Sequence, residues 1–312
     1  MSERVAVTGG AGFIGSRLVE ELVRRNYHVI ILDDLSTGNI KNLEGLLNKE
    51  TVEFIQGSIT DIPLLNKLFQ NVTYVFHQAA IPSVPRSIAN PQASHDVNVT
   101  GTLNVLIAAR DNHVKKMIYA SSSSVYGDTP TLPKVEDMIP NPQSPYAVTK
   151  LTGEYYCRVF EQVYNLPTVC LRYFNVYGPK QDPESQYAAV IPKFITRVIN
   201  GQGPVIFGDG EQSRDFTYIK DVIEANVQAA ESDATGIFNI GNGKSITINQ
   251  LAKLTINLLG NYSITPIHEK PRPGDVKDSL ADITSAKTFG YSPKYDLEKG
   301  LYETVRSFTD GS

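Results

Sequence analysis

The segment Ser144-Pro145-Tyr146-Ala147-Val148-Thr149-Lys150 carries the strongest chemical signal in the chain. Pro145 suits a first helical position and Ser144 an N-cap, so a helix begins here and sets Tyr146 and Lys150, four residues apart, on one face. A free phenol, with a pKa of about 10, is a poor base at neutral pH. An ammonium beside it favours phenolate and brings that pKa toward the range useful for proton transfer. An isolated Tyr-x-x-x-Lys pair also suits an ordinary exposed helix start, so its meaning rests on the elements around it.

The first of these elements is Thr8-Gly9-Gly10-Ala11-Gly12-Phe13-Ile14-Gly15, which follows an apolar strand and opens a helix with apolar positions at Phe13, Leu18 and Leu22. Gly9, Gly12 and Gly15 permit a tight turn, close approach of the backbone to a pyrophosphate and close packing of helix on strand. The helix N-terminus adds free N–H donors and partial positive charge. A glycine pattern alone is weak, but Asp33 stands at the end of the next strand, 18 residues beyond Gly15. A carboxylate there accepts hydrogen bonds from ribose hydroxyls and repels a 2'-phosphate, so the loop reads as a dinucleotide site with NAD favoured over NADP. The positive nicotinamide ring then joins Lys150 in favouring the Tyr146 phenolate. Asp34 reads as a solvated neighbour.

Apolar runs at Arg4 to Thr8, His28 to Asp33, Val52 to Gln56, Tyr74 to His77, Lys116 to Ala120 and Thr168 to Arg172 alternate with segments of helical period. This rhythm predicts an α/β fold, a Rossmann doubly wound parallel sheet, with strands covered on both faces. Small and polar clusters follow the later strands: Gln78 to Ser83, Ser121 to Tyr126, and Tyr173-Phe174-Asn175. Ligands of open parallel sheets bind outside those strand ends. After about residue 178 helices dominate (Ala188 to Asn200, Asp221 to Ala230, Ile248 to Leu259, Leu297 to Phe308), which predicts a smaller C-terminal α/β substrate-binding lobe. Thr247 with Gln250 forms a capping box, and Gly260 closes that helix. The expected domains are 1–178 and 179–312, with the chain free to cross between them.

Composition excludes other classes. The 312 residues amount to roughly two domains at ~150 residues each. Lys and Arg number 29 against 33 Asp and Glu, a net charge of -4 with pI near 5.8, which argues against a nucleic-acid partner. The longest unbroken run of Val, Ile and Leu, Val29 to Leu32, falls far short of the ~20 apolar residues of a membrane span, so no membrane association is expected. The start Met-Ser-Glu-Arg enters a strand at Val5 and does not read as a signal peptide. Cys157 and Cys170 are too few for a disulfide framework, and no Cys or His pair has metal-ligand spacing. No metal is expected, and a cytoplasmic location fits.

Taken together, Gly9, Gly12, Gly15, Asn98, Ser122, Tyr146 with Lys150, and Tyr173-Phe174-Asn175 resemble the extended short-chain dehydrogenase/reductase family, specifically its nucleotide-sugar 4-epimerases. The likeness continues through Phe207-Gly208-Asp209-Gly210, Ser213-Arg214-Asp215 and Arg272-Pro273-Gly274-Asp275. It implies an isomerase with tightly bound NAD. In that mechanism Tyr146 takes the proton of the sugar 4-hydroxyl while C4 gives up hydride, and the 4-keto sugar turns over and receives the hydride on its other face. Ser122, four residues before Tyr126, matches the hydroxyl that hydrogen-bonds the 4-oxygen, and Lys150 also holds the nicotinamide ribose. The cofactor set implied further includes Phe13, Ile14, Ser36, Thr37, Gly38, Ser58, Ile59, Gln78, Ala79, Ala80 and Tyr173. Asn98 is implied to approach the cofactor or the Tyr146–Lys150 network. Ser58 departs from the acid frequently found at its position, while Ile59 still offers a backbone contact.

On the substrate side the resemblance gives Asn175 to the sugar or its diphosphate, Arg214 and Arg272 to the diphosphate, with Asp275 beside them, and Val190 and Phe207 to the uracil. Surface ion pairs with Asp215 and Asp275 are the alternative for the two arginines. Related 4,6-dehydratases and decarboxylases carry acids two and often three positions before the tyrosine of Val125-Tyr126-Gly127, where this chain has Ser124 and Ser123. The epimerase reading gains from that difference. Ser123 reads equally as a strand-end cap and as a contact to sugar hydroxyls. Ser279 occupies the position where a bulky tyrosine restricts the pocket to plain hexoses, and with Ser83-Val84-Pro85-Arg86-Ser87 this resembles the branch acting on N-acetylated UDP-hexosamines. The leading substrate pair is UDP-N-acetylglucosamine and UDP-N-acetylgalactosamine; UDP-glucose with UDP-galactose stays open, and Arg86 keeps a uronate open. Family members commonly form homodimers through helices near Pro91 to Asn112 and Tyr146 to Gln162. Val148, Leu151, Tyr155 and Val159 form an apolar stripe on the second, which suits a partner or the sheet equally.

Overall fold

The computed structural model describes residues 3–182, 189–271 and 276–309. Six strands follow the sequence rhythm: β1 (Arg4–Thr8), β2 (His28–Asp33), β3 (Val52–Gln56), β4 (Tyr74–His77), β5 (Lys116–Ser122) and β6 (Thr168–Tyr173). Short strands β7 (Val176–Tyr177), β8 (Val205–Phe207), β9 (Ser213–Asp215) and β10 (Thr217–Tyr218) follow, and then β11 (Gly236–Ile240) returns to pair with β6. The resulting parallel sheet has the order β11-β6-β5-β4-β1-β2-β3. Strand order reverses between β1 and β4, which opens a crevice at their carboxyl ends.

Residues along each strand alternate between two apolar layers. Val5, Val7, Val29, Ile31, Val169 and Leu171 face one core, and Ala6, Ile30, Leu32, Met117, Tyr119 and Cys170 the other. Burial on both faces is why the strands lack polar alternation. Helices α1 (Phe13–Arg24), α2 (Ile62–Leu68), α3 (Val84–Ala89) and α4 (Pro91–His95) lead through a π-helical turn at Asp96–Gly101 into α5 (Thr102–Asp111), and α6 (Pro145–Tyr164) follows β5. In the second half run α7 (Val190–Ile199), α8 (Ile219–Glu231), α9 (Ile248–Leu258) and α10 (Leu297–Thr309), with β12 (Ser245–Thr247) and β13 (Ile267–Glu269).

Helix α8 packs on α1 and on the sheet, so α8 and β11 return from the second segment to the layers of the first. Arg25 pins this contact, with Nη2 2.6 Å from Glu224 and Nε 2.7 Å from Glu21. The smaller lobe consists of α7, α9 and α10 with the strand pairs β7–β10, β9–β12 and β8–β13. Its α9 begins on the predicted capping box, Thr247 accepting from Gln250 N and Gln250 reaching back to Thr247 N, and Gly260 follows at φ +67°.

A buried ion pair ties α6 to β6. Arg172 donates to Glu154 through Nε at 2.9 Å and Nη2 at 2.8 Å, and its guanidinium stacks 4.6 Å from the Tyr126 ring. Both residues are 1% exposed. Removing one partner strands a charge, so Arg172→Met is expected to cost about 3–5 kcal/mol in urea unfolding, and adding Glu154→Leu to recover most of it.

Candidate active site

The glycine loop stands on the β1–β4 crevice in a form that only glycine allows. A Cβ on Gly15 would lie 2.1 Å from Gly9 O, and one on Gly9, at φ +71°, would lie 2.6 Å from Ala79 N. Gly12 caps α1 without a side-chain acceptor, so the helix start offers its amides to the cavity that Phe13 and Ile14 line. That cavity, about 450 Å³, runs along the strand ends. Gly9, Gly12, Gly15, Asp33, Ser36, Thr37, Ile59, Gln78, Ala79, Ala80, Ser83, Tyr146, Lys150 and Tyr173 all line it. Asp33 is aimed by its own backbone surroundings, with Oδ2 accepting from Ala11 N at 2.9 Å and Oδ1 from Leu35 N at 2.8 Å. Burial pushes its carboxyl above the usual range, against those two hydrogen bonds. These features fit NAD: a donor-rich helix start without side chains for a pyrophosphate and a fixed carboxylate for a ribose.

Tyr146 and Lys150 share the face that the sequence predicts, at the start of α6. Ser144 caps Ala147 N at 3.2 Å, and Pro145 takes the first position. Lys150 is 4% exposed and donates from Nζ to Ala120 O at 2.8 Å; it lies 5.1 Å from the Tyr119 ring and 5.9 Å from the Tyr146 ring. The expected lowering of the phenol by Lys150 is absent from the protein alone. Burial pushes Tyr146 up, opposed by its contact with the Ser122 hydroxyl, and burial lowers Lys150 to about 8. The physical reason is that both groups are withdrawn from water and the ammonium is directed at a carbonyl.

Several predicted residues stand behind the cavity wall. Asn98, on the π-helical turn, exchanges hydrogen bonds with the backbone of Ile81 (Oδ1 from Ile81 N at 2.8 Å, Nδ2 to Ile81 O at 3.2 Å) and donates to Thr149 Oγ1 at 3.1 Å. Thr149 in turn donates to Tyr146 O at 2.8 Å. Asn98 therefore serves the Tyr146–Lys150 network. Ser58 is paired with Thr60 at 2.8 Å, and Gly38 packs on Asp33, where a Cβ would lie 2.8 Å from Oδ1. Ser122 caps the turn after β5 by accepting from Ser124 N at 3.2 Å; the hydroxyl of Ser124 is buried without a partner.

Sequence reasoning passed over three partners. His77, 1% exposed, bridges Thr8 Oγ1 at 2.7 Å and Thr102 Oγ1 at 2.9 Å. Thr102 spends its own proton on Asn98 O at 2.7 Å, so the network assigns the proton to His77 Nε2. Burial, then the Lys150 charge, lowers His77 to about 3 and keeps it neutral. Asn226, fully buried on α8, holds the Tyr173 hydroxyl together with Gln78; burial lifts Tyr173 to about 12 against them. Ser87 accepts from Tyr146 N. A polar residue on an otherwise apolar helix face is the signal that could have flagged Asn226.

Of the residues expected on the substrate side, Asn175, Val190, Phe207, Arg214 and Ser279 follow β6, whereas Ser83, Ser122, Ser123 and Tyr146 precede it. Asn175, at φ +33°, donates to Asp215 O at 2.8 Å and to Ser279 Oγ at 3.2 Å. Arg214 donates to Ser213 O at 2.8 Å and Lys277 O at 3.0 Å. The alternative of an Arg214–Asp215 ion pair does not hold, because Asp215 points to the opposite side of β9, is fully buried and accepts from the amides of Asn242, Gly243 and Ala281. Val190 opens α7, Phe207 ends β8, and Ser123 opens the turn after β5. Arg272 and Asp275 lie outside the described residues. Among the described residues no group of three His, Cys, Asp or Glu could hold a metal, and no helix is long and apolar enough to cross a membrane.

The model of the NAD-dependent epimerase/dehydratase family matches residues 5–241. A UDP-glucose 4-epimerase of Mycolicibacterium smegmatis is 38% identical over 99% of both chains. Among solved structures, a UDP-N-acetylglucosamine 4-epimerase from Methanobrevibacter ruminantium, in complex with UDP-N-acetylmuramic acid, is 44% identical with a TM-score of 0.96 and full coverage of both chains. A UDP-glucuronic acid 4-epimerase from Bacillus cereus, with UDP-glucuronic acid and NAD, is 35% identical with a TM-score of 0.92, covering 99% of this chain and 100% of that one. The chain belongs to the NAD-dependent epimerase/dehydratase family. Within it, the protein is an NAD-dependent isomerase of the UDP-sugar 4-epimerase type.

Lys150, lowered to about 8 on folding, remains charged to about pH 10.5 when unfolded. The unfolded state then binds more protons between those values, so the lysine's destabilising effect fades as pH rises. Lys150→Met is expected to be more stable than the unmodified chain at pH 7 and to lose that advantage by pH 10.5, measured by urea unfolding at each pH.

Proposed function

We propose that the chain epimerises UDP-N-acetylglucosamine and UDP-N-acetylgalactosamine at C4. The observation that carries this choice is Ser279: a small residue, 9% exposed, with its hydroxyl held by Asn175 where the resemblance places a space-restricting tyrosine. The likeness to a UDP-N-acetylglucosamine 4-epimerase supports it. Arg86, which lines the cavity beside Ser83, favours a second reading in which a sugar carboxylate is taken, as in a UDP-glucuronate 4-epimerase.

In the proposed mechanism Gly9, Gly12 and Gly15 with the α1 amides hold the NAD pyrophosphate, and Asp33 holds a ribose. Bound NAD would supply the reversible acceptor for the hydrogen at C4 and, in its oxidised form, positive charge. Tyr146 takes the proton of the 4-hydroxyl and later returns it, and Ser122 hydrogen-bonds the 4-oxygen. Lys150 adds its charge to the phenolate's surroundings and positions a ribose. Arg214 and Asn175 meet the diphosphate and sugar, while Val190 and Phe207 enclose the uracil.

The chain is proposed to work as a homodimer in the cytoplasm. Val148, Tyr155 and Val159 are 49%, 47% and 43% exposed on α6, while Leu151 turns inward against Val125, Tyr126, Phe174 and Ala281. An apolar stripe of this kind on a surface helix suits a partner helix. The free, buried thiols of Cys157 and Cys170 suit a reducing compartment.

Incubated with UDP-N-acetylglucosamine and no added NAD, the purified protein is expected to produce the C4 epimer by NMR, faster than it converts UDP-glucuronate. Conversion of UDP-glucuronate alone would overturn the choice. Tyr146→Phe is expected to lose about a thousandfold in kcat, and Ser279→Tyr to lose N-acetylated substrates while sparing UDP-glucose. Analytical ultracentrifugation is expected to show a dimer that Tyr155→Glu with Val159→Glu converts to monomer.

A further inference from the structure

The start of α6 contains one amide that its own sequence does not cap. Pro145 has no N–H, Ala147 N is bonded by Ser144 Oγ, and Val148 N by Ser144 O at 3.0 Å. The remaining amide, that of Tyr146 itself, donates at 3.0 Å to Ser87 Oγ on α3, 59 residues earlier in the chain. Ser87 is fully buried, and its hydroxyl proton is committed to Val84 O at 2.7 Å, so its lone pairs face Tyr146. Helix α3 is also cavity wall: Ser83, held at φ +95°, caps it by accepting from Arg86 N, and Ser83 and Arg86 line the same space as Tyr146 and Lys150.

We propose that Ser87 is a positioning residue that fixes the main chain of Tyr146 to the sugar-side wall of the cavity. The proposal rests on the assignment of Tyr146 as the base. A short helix that meets the sugar is thereby joined, through one hydrogen bond, to the backbone carrying the phenol. Loss of the acceptor leaves a buried N–H without a partner and frees the first turn of α6 to shift against α3. Displacements of that size cost rate more than binding, because proton transfer depends on sub-ångström placement.

The test is steady-state kinetics of Ser87→Ala and Ser87→Thr on the NAD-loaded protein with UDP-N-acetylglucosamine, or with whichever UDP-sugar turns over. Ser87→Ala is expected to lower kcat about tenfold with KM unchanged and bound NAD retained, and Ser87→Thr, which keeps the hydroxyl, to restore kcat. A fall in Tm with kcat unchanged, or a rise in KM alone, would overturn the proposal. If Ser87→Ala does not fold, Ser87→Cys replaces it: sulfur is a weaker acceptor, so kcat should fall severalfold, and full kcat overturns the proposal. Tyr146→Phe is measured alongside. Activity retained there removes the base assignment, whereas activity lost there with Ser87→Ala unaffected removes only the role of Ser87.

Discussion

Helix α6 approaches β5 so closely that a Cβ on Gly153 would stand 2.3 Å from the Tyr119 hydroxyl, and this approach lets the Lys150 ammonium reach Ala120 O. Each end of the contact is secured separately. Toward the C-terminal side, Glu154 takes the Arg172 fork and the Ser121 hydroxyl, which ties α6 to the two strands whose ends form the site. At the start, Ser144, Ser87 and the Asn98–Thr149 pair hold the first turn from three directions. A buried lysine is costly, and these contacts fix the helix that carries it.

The electrostatics of the crevice are local. A net charge of -4 gives no general attraction for anionic diphosphates, yet both ligands of a UDP-sugar epimerase are of that kind. The start of α1, with no side chain capping its amides, can meet such charge locally without a basic surface. Asp215 is satisfied by three amides and lifted to about 6 by burial, and it holds the loop around Asn242.

Neutral hydrogen bonds link the halves of the crevice. From Ala79 N the chain of donors passes through Thr8, His77 and Thr102 to Asn98 O, and the Asn98 side chain continues through Thr149 to Tyr146 O. Every donor has an acceptor along this path, so it adds rigidity between the glycine loop and the phenol without adding charge to the low-dielectric interior. A histidine lowered to about 3 by burial remains neutral at pH 7.

The sequence by itself determined the strands, the glycine turn, Asp33 and the Tyr146–Lys150 face, because local pattern and covalent spacing govern these: short apolar runs alternating with segments of helical period, a glycine that a side chain would clash with, a proline at a helix start. It also revealed the capping box of α9, where both partners lie within four residues. The tertiary structure alone decided that β11 and α8 rejoin the sheet, since pairing across more than sixty residues leaves no local mark. It alone decided that Lys150 points at Ala120 O and that Tyr146 is raised by burial, because desolvation depends on everything packed around a group. Ser87 and His77 were illegible for the same reason, and Asn226 showed only as a polar residue on an apolar helix face. A hydrogen-bonding side chain announces its type in the sequence, but its partner is fixed only by the fold.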